Sequence, residues 1–258
     1  MSTVGPLLSE YRKRNRLSQL DLSLLAEVSS RHISFIETGR TRPSRAMLMR
    51  LADVLNLTHR DSNLLLNSGG YAAAYSSLEF DSAELAPVRQ ALQLMLENHN
   101  PYPAIVMDGS YNVLMANSAQ QQFMGAVLGQ ARALPSANIL EALFDERMFR
   151  KHIANWDEVA GHLLRRLKKQ VLAYANPKHG ALLEKILTLS PPPHWQQPGE
   201  EPGDGPMLTV DFIVGEVTLS MFSTLSQFGT TLDTGMEELL IESYFPADEN
   251  SRAFFNRN

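Results

Sequence analysis

The side chains best placed to do chemistry lie close together near the N-terminus, and most of them are arginines. Residues 29 to 45 read SSRHISFIETGRTRPSR. Ile33 and Ile36 have the spacing of an inward helix face, which turns Ser30, Arg31 and Ser34 outward near the start of that helix, with Phe35 beside them. A guanidinium held there can donate to O6 and N7 of one guanine together, worth about 1–3 kcal/mol of discrimination. An aromatic ring such as Phe35 can lie against a thymine methyl or simply cover the helix edge. Gly39 stops the helix, and Arg40, Arg42 and Arg45 follow it as a cationic group suited to phosphate oxygens, or to a solvated surface. Arg31 itself could equally meet a phosphate.

These residues need a rigid support, and the flanking sequence describes one. Ser18 can cap a helix in which Leu20, Leu24 and Leu25 recur at helical spacing. A short turn at Val28 and Ser29 follows, and Ser29 or Ser30 can cap the next helix. Two short helices joined this way form a helix-turn-helix, whose second helix enters the major groove of DNA. Pro6 to Asn15 precede the pair as one helix; Ser44 caps another with Met47, Leu48, Leu51 and Leu55 buried, and Asp61 to Asn67 form a fifth. Leu17-Ser18-Gln19, Leu25-Ala26, Ser29, Ile33, Ile36-Glu37-Thr38-Gly39-Arg40 and Arg42-Pro43-Ser44 together resemble the Xre/Cro family of phage-repressor-like domains, over roughly residues 5 to 70. That resemblance implies a phosphate-contacting role for Gln19 and a structural ion pair between Arg12 and Glu37. The candidate DNA-binding residues are Gln19, Ser29, Ser30, Arg31, Ser34, Phe35, Arg40, Arg42 and Arg45.

The 258-residue chain carries a net charge of −5, which alone would argue against a polyanion partner. The distribution reverses this: residues 1 to 70 hold ten Lys or Arg against six Asp or Glu, and the remainder thirteen against twenty-two. A basic head on an acidic body confines DNA affinity to the head. Such a modest positive head binds operators weakly unless two act together, so a homodimer on an inverted-repeat operator of double-stranded DNA is expected. The absence of cysteine excludes disulfides, thiolate metal sites and cysteine nucleophiles. With no apolar run of about 20 residues and no signal pattern, the expectation is a cytoplasmic protein without membrane insertion.

Beyond the head, residues 71 to 84 read as a junction between a domain at 1–74 and a second at 85–258, and as the route by which one influences the other. Pro87 to Asn98 is helical; Ala104 to Met107 and Asn112 to Ala116 form a hairpin around Asp108-Gly109-Ser110; a helix starts at Asn117 or Ser118. Helices then cover much of 138–175 and Gly180 to Leu189. Six prolines and three glycines mark Ser190 to Pro206 as an exposed loop, and strands follow at Leu208–Val214, Glu216–Leu225 and Glu238–Tyr244. The expected fold is an α N-terminal helix-turn-helix domain of five helices plus an α+β PAS-like C-terminal domain with a small antiparallel sheet.

The head, Gly69-Gly70-Tyr71-Ala72 and the opening strands Pro103 to Asp108 and Asn112 to Ala119 together resemble the MmyB-like transcription regulators. The resemblance implies a PAS-like ligand-binding domain and a small, hydrophobic, fatty-acid-like effector; no cofactor and no metal are expected. Lining candidates are Met115, Phe123, Met148, Phe149, Trp156, Leu163, Phe212 and Met221, each of which could equally be core. Arg165, Arg166, Lys168 and Lys169 could hold a carboxylate head group or form a solvated face. The alternative is a C-terminal domain that only dimerises or meets another protein. No catalytic spacing is present: the chain lacks a Gly-x-Ser-x-Gly elbow, a phosphate-cradling glycine loop and His-Glu-x-x-His, and Glu158 with His162 supplies only two metal ligands. An enzyme is not expected.

Overall fold

The computed structural model describes residues 4–76, 78–129, 138–173, 177–189, 191–193, 195–197, 207–228 and 233–256. The chain divides into two compact units, Met1–Phe80 with Phe228–Glu237, and Asp81–Gln227 with Glu238–Asn258. The division differs from the sequence expectation of a continuous second domain, because a segment from the far half of the chain joins the first unit.

The first unit holds the five expected helices, α1 (Val4–Arg14), α2 (Gln19–Leu25), α3 (Ser30–Glu37), α4 (Arg45–Val54) and α5 (His59–Ser68). A helix start leaves backbone amides without partners. Here hydroxyls accept them: Ser18 from the Asp21 amide, Ser29 from His32, Ser44 from Met47 and Thr58 from Asp61. At α2 the cap is reciprocal, since Asp21 accepts the Ser18 amide in return. Leu8, Tyr11, Leu22, Ile33, Ile36, Leu48, Leu51 and Leu65 meet in one core. Gly39 takes a φ of 71°, as the helix stop requires.

The buried face of α2 is not the leucine stripe that the spacing suggested. Leu20, Leu24 and Leu25 are exposed, and the helix buries Leu22, Ser23 and Ala26. Both sets are helically spaced, but the tight turn brings α2 close to α3, and small Ser23 and Ala26 permit that approach.

The second unit is built on a five-stranded antiparallel sheet in the order β2-β1-β5-β4-β3. The strands are β1 (Ala104–Met107), β2 (Val113–Ala116), β3 (Val210–Val214), β4 (Val217–Ser226) and β5 (Leu240–Pro246). Between β2 and β3 lie α7 (Ser118–Leu128), α8 (Ile139–Phe144), a 3-10 turn at Arg150–His152, α9 (Trp156–Ala173) and α10 (Pro177–Leu187). Helices inserted between the second and third strands of such a sheet are the expected PAS-like arrangement. α6 (Ala86–Asn98) precedes the sheet, and α11 (Thr234–Glu237) and α12 (Glu249–Phe255) were not read from the sequence. The expected loop over 190–206 lies mostly outside the described residues. No helix among the described residues is long and apolar enough to cross a membrane.

Register decides which side chains meet the helices. Ile105, paired with Ala116, and Met107, paired with Val113, face a core shared with Leu140, Phe144, Leu164 and Leu167. Phe212, Leu219 and Met221 continue that face into a second core with Phe123, Phe149 and Val159. Asn117 ties the unit's beginning together. Its Oδ1 accepts from the amides of Ala104 and Gln120 at 3.0 and 2.9 Å, and its Nδ2 donates to the carbonyls of Leu96 and Tyr102 at 3.2 and 2.8 Å.

Replacing Asn117 by alanine removes a helix cap and strands buried partners, so this unit should lose about 2–4 kcal/mol. The chain's two tryptophans, Trp156 and Trp195, both belong to this unit, so denaturant unfolding followed by tryptophan fluorescence reads it. An unchanged midpoint for Asn117→Ala would contradict the assigned role.

Candidate functional site

The positioning of α3 begins with a carboxylate. Glu37, at its last turn, receives Arg12 Nε on Oε1 at 2.6 Å, and Arg12 Nη2 and Gln19 Nε2 on Oε2 at 2.9 and 2.8 Å. Arg12 Nη1 also donates to the Leu17 carbonyl at 2.8 Å, so α1, α2, α3 and the first connection meet at one charge cluster. The side chains of Arg12 and Glu37 are only 10% and 6% exposed. Burial pushes the Glu37 carboxyl up, but hydrogen bonds from Arg12 and Gln19, with the charge of Arg12, outweigh it and hold the group below its ordinary value. The expected Arg12–Glu37 pair is therefore present, and Gln19 has joined it.

The outward face of α3 carries the other candidates. Ser30 and Arg31 are exposed, and Ser34 and Phe35 are half-buried. The guanidiniums of Arg31 and Arg40 lie 5.1 and 5.6 Å from the centre of the Phe35 ring, which attracts both. Phe35 thus joins two cations into one ledge. Ser29 is the cap of the helix. Arg45 begins α4 and is exposed. Arg42 is partly committed to structure: it donates to the Gly69 carbonyl at 3.0 Å and stacks on Tyr71, whose hydroxyl donates to the Pro43 carbonyl.

In the second unit the eight lining candidates separate. Phe123, Phe149, Phe212 and Met221 are fully buried in the core, with the Phe123 and Phe212 rings edge-on at 5.0 Å. Met148 packs on the edge of that core. Met115 is on the opposite face of the sheet, because a bulge between Val106 and Met107 pairs Met115 with Val106, away from Ile105 and Met107. It is therefore not among the side chains facing α8 and α9. Trp156 and Leu163 are different again. With Leu143 and Tyr244, which the sequence reading missed, they pack against both buried cores while staying partly exposed themselves. These four side chains bridge the two buried clusters at their seam.

One end of this seam is polar. Glu242 and Tyr244 share a sheet face with Ser223, which donates to Glu242 Oε1 at 2.7 Å. Burial raises the carboxyl of Glu242, against opposing hydrogen bonds from Ser223 and Tyr244 and the charge of Arg166. Burial likewise raises the Tyr244 phenol, and the neighbouring Glu242 charge adds to it. Of the four basic candidates on α9, Arg165 donates to the carbonyls of Trp195 and Gln197, and Lys168 lies 5.5 Å from the Trp195 ring. Lys169 is exposed. Arg166 alone turns toward Tyr111 and Glu242, its guanidinium 6.0 Å from the Tyr111 ring. The indole N–H of Trp156 is buried with no partner among the described residues. Glu158 and His162 gain no third ligand among them. A glutamate within the apolar run of β5 was the signal available in the sequence for this polar end.

Residues 88–257 match the family described as MmyB-like transcription regulator ligand binding domain. Residues 8–61 match the family described as helix-turn-helix. Among curated proteins none matches the chain. Among solved structures, the PAS domain from Bordetella pertussis BvgS matches with 12% identity and a TM-score of 0.31, over 66% of this chain and 94% of that one.

Removing Glu37 leaves Arg12 buried without its partner, so Glu37→Ala should cost the first unit about 3–5 kcal/mol. Because its folded-state value is depressed, the stabilisation from Glu37 is complete above the unfolded carboxylate value, about 4.3, and fades as pH falls through the lower folded value. Thermal unfolding of Glu37→Ala and Glu37→Gln across that range checks both statements; unchanged melting contradicts them. On DNA, Arg31→Ala should weaken binding by about 1–3 kcal/mol and relax preference at one base pair, as fluorescence anisotropy on matched and mismatched duplexes would read. Arg40→Ala should weaken binding to all sequences alike and lower the salt slope by about one.

Proposed function

The chain belongs to the MmyB-like transcription regulators, and on that premise we propose that its effector is a fatty-acid-like molecule held along the seam between the sheet and α9 of the second unit. A helix-turn-helix regulator carrying an MmyB-like ligand-binding domain is the coarser statement, and the family matches carry it. The observation that carries the finer one is the seam itself, where Leu143, Trp156, Leu163 and Tyr244 stay partly exposed between two buried clusters. Its wall is apolar, which suits an acyl chain. Arg166 supplies a positive charge at the end marked by Glu242 and Tyr111. A guanidinium there can donate two parallel hydrogen bonds to a ligand carboxylate.

The regulator works as a cytoplasmic homodimer on an inverted-repeat operator. Two α3 helices about 34 Å apart would meet successive major grooves on one face of the duplex. Ser30, Arg31, Ser34 and Phe35 face base edges, and Gln19, Arg40, Arg42 and Arg45 position the helix on phosphates. The ligand acts by binding the DNA-competent and DNA-incompetent arrangements with unequal affinity.

Native and denaturing mass spectra of the purified protein test the ligand. The expected result is a dimer carrying extra mass that is lost on denaturation, or one that takes up laurate when it arrives bare. Arg166→Ala should weaken laurate binding roughly tenfold or more, the loss of one charge-assisted contact. A bare dimer that ignores laurate would contradict the ligand reading and favour a domain that only dimerises.

A further inference from the structure

The segment Phe228–Glu237 lies in sequence between β4 and β5, yet it belongs to the first unit, and Asp233 to Glu237 are densely bonded there. Asp233 is 4% exposed. Its Oδ1 accepts the amides of Gly235 and Met236 at 2.8 and 3.2 Å, fixing the start of α11. Its Oδ2 accepts the Ser76 hydroxyl at 2.8 Å and the Leu78 amide at 2.9 Å. The Thr234 amide donates to the Ser76 carbonyl at 2.9 Å. One buried carboxylate thus joins α11 to the residues that lead out of α5.

The far end of α11 is tied down as well. Glu237 Oε2 accepts the His59 amide at 2.7 Å, at the N-terminal end of α5, where a carboxylate also meets the positive end of the helix dipole. The His59 ring stacks on Tyr75 at 3.8 Å, and Asn63 holds the amides of Ala74 and Tyr75 and the Tyr75 carbonyl. Ala74 and Tyr75 are therefore held to α5 by Asn63, and Ser76 and Leu78 to the start of α11 by Asp233.

In sequence this segment lies between the two strands that carry the proposed ligand site. β4 ends at Ser226 and presents Ser223; β5 begins at Leu240, three residues after Glu237, and presents Glu242 and Tyr244. We infer that α11 is the coupling element of the regulator: Asp233 and Glu237 convert a change at the ends of β4 and β5 into a change at the start of α5 and at residues 74–78. The inference rests on the ligand-site reading above. It assigns the route between sensor and head to a second covalent path, in addition to the junction at 71–84. The chemistry suits a switch, because each contact is a charged carboxylate on neutral donors, strong yet short in reach.

Hydrogen exchange on the delipidated full-length protein, with and without laurate, tests this. In the wild type, laurate should slow exchange in β4 and β5 and also alter it at 59–62 and 74–78. In Asp233→Ala, and in the milder Glu237→Gln, the response in β4 and β5 should persist while the distant one falls roughly tenfold or more. A wild type responding in the strands alone, or variants that keep the distant response, would overturn the coupling. If laurate leaves β4 and β5 untouched, the ligand reading fails, and Tyr244→Ala then decides the coupling. Loosening β5 in this way should speed exchange at 74–78, and should not when Asp233→Ala is also present. No change at 74–78 in Tyr244→Ala would overturn it.

Discussion

A carboxylate shut inside a small helical unit must find donors, and Glu37 finds its three on α1 and α2. Much else in the first unit follows from that demand. The last turn of α3 is pinned to Arg12, and Arg12 is pinned to the Leu17 carbonyl just before α2. The outward face of α3 therefore has one orientation, and Arg31, Phe35 and Arg40 are presented together instead of each finding its own. The aromatic ring between two guanidiniums extends the same logic to the surface, because it holds the cations extended before any nucleic acid arrives. Pre-organisation of this kind lowers the entropy lost on binding.

Much of this was legible in the sequence because short-range chemistry dictated it. Hydroxyl caps at Ser18, Ser29 and Ser44, the glycine stop at Gly39 and the Asp108-Gly109 hairpin are local signals, and the structure realises them at those positions. The misplaced features share the opposite property. The inward face of α2 depended on how closely α3 approaches, which neither helix reveals alone. Met115 follows Val113 by two, so strand alternation places both on one face; the bulge shifts the register by one residue and sends Met115 to the other. α11 is a single turn whose cap, Asp233, is satisfied largely by residues far away in the chain. The surroundings of Glu242 depend on Ser223, which a different strand supplies.

The second unit combines two demands that oppose each other. A stable core wants its aromatic residues packed, and Phe123, Phe149 and Phe212 are. A sensor wants space, and in the proposed reading Leu143, Trp156, Leu163 and Tyr244, which pack on both clusters while partly exposed, border it. An indole N–H at Trp156 without a partner among the described residues and a raised acid at Glu242 are costs that a well-packed domain would normally avoid.

In the proposed mechanism one molecule reads DNA with α3 and adjusts that reading through the second unit. The most direct measurement is selection of binding sites from random duplex DNA, performed with the protein as purified and again after delipidation. The account predicts an enriched inverted repeat whose half-sites stand one helical turn apart, recovered in different yield by the two preparations. Enrichment of no sequence would contradict the DNA-reading face, and equal recovery by both preparations, where lipid had been removed, would contradict the regulation.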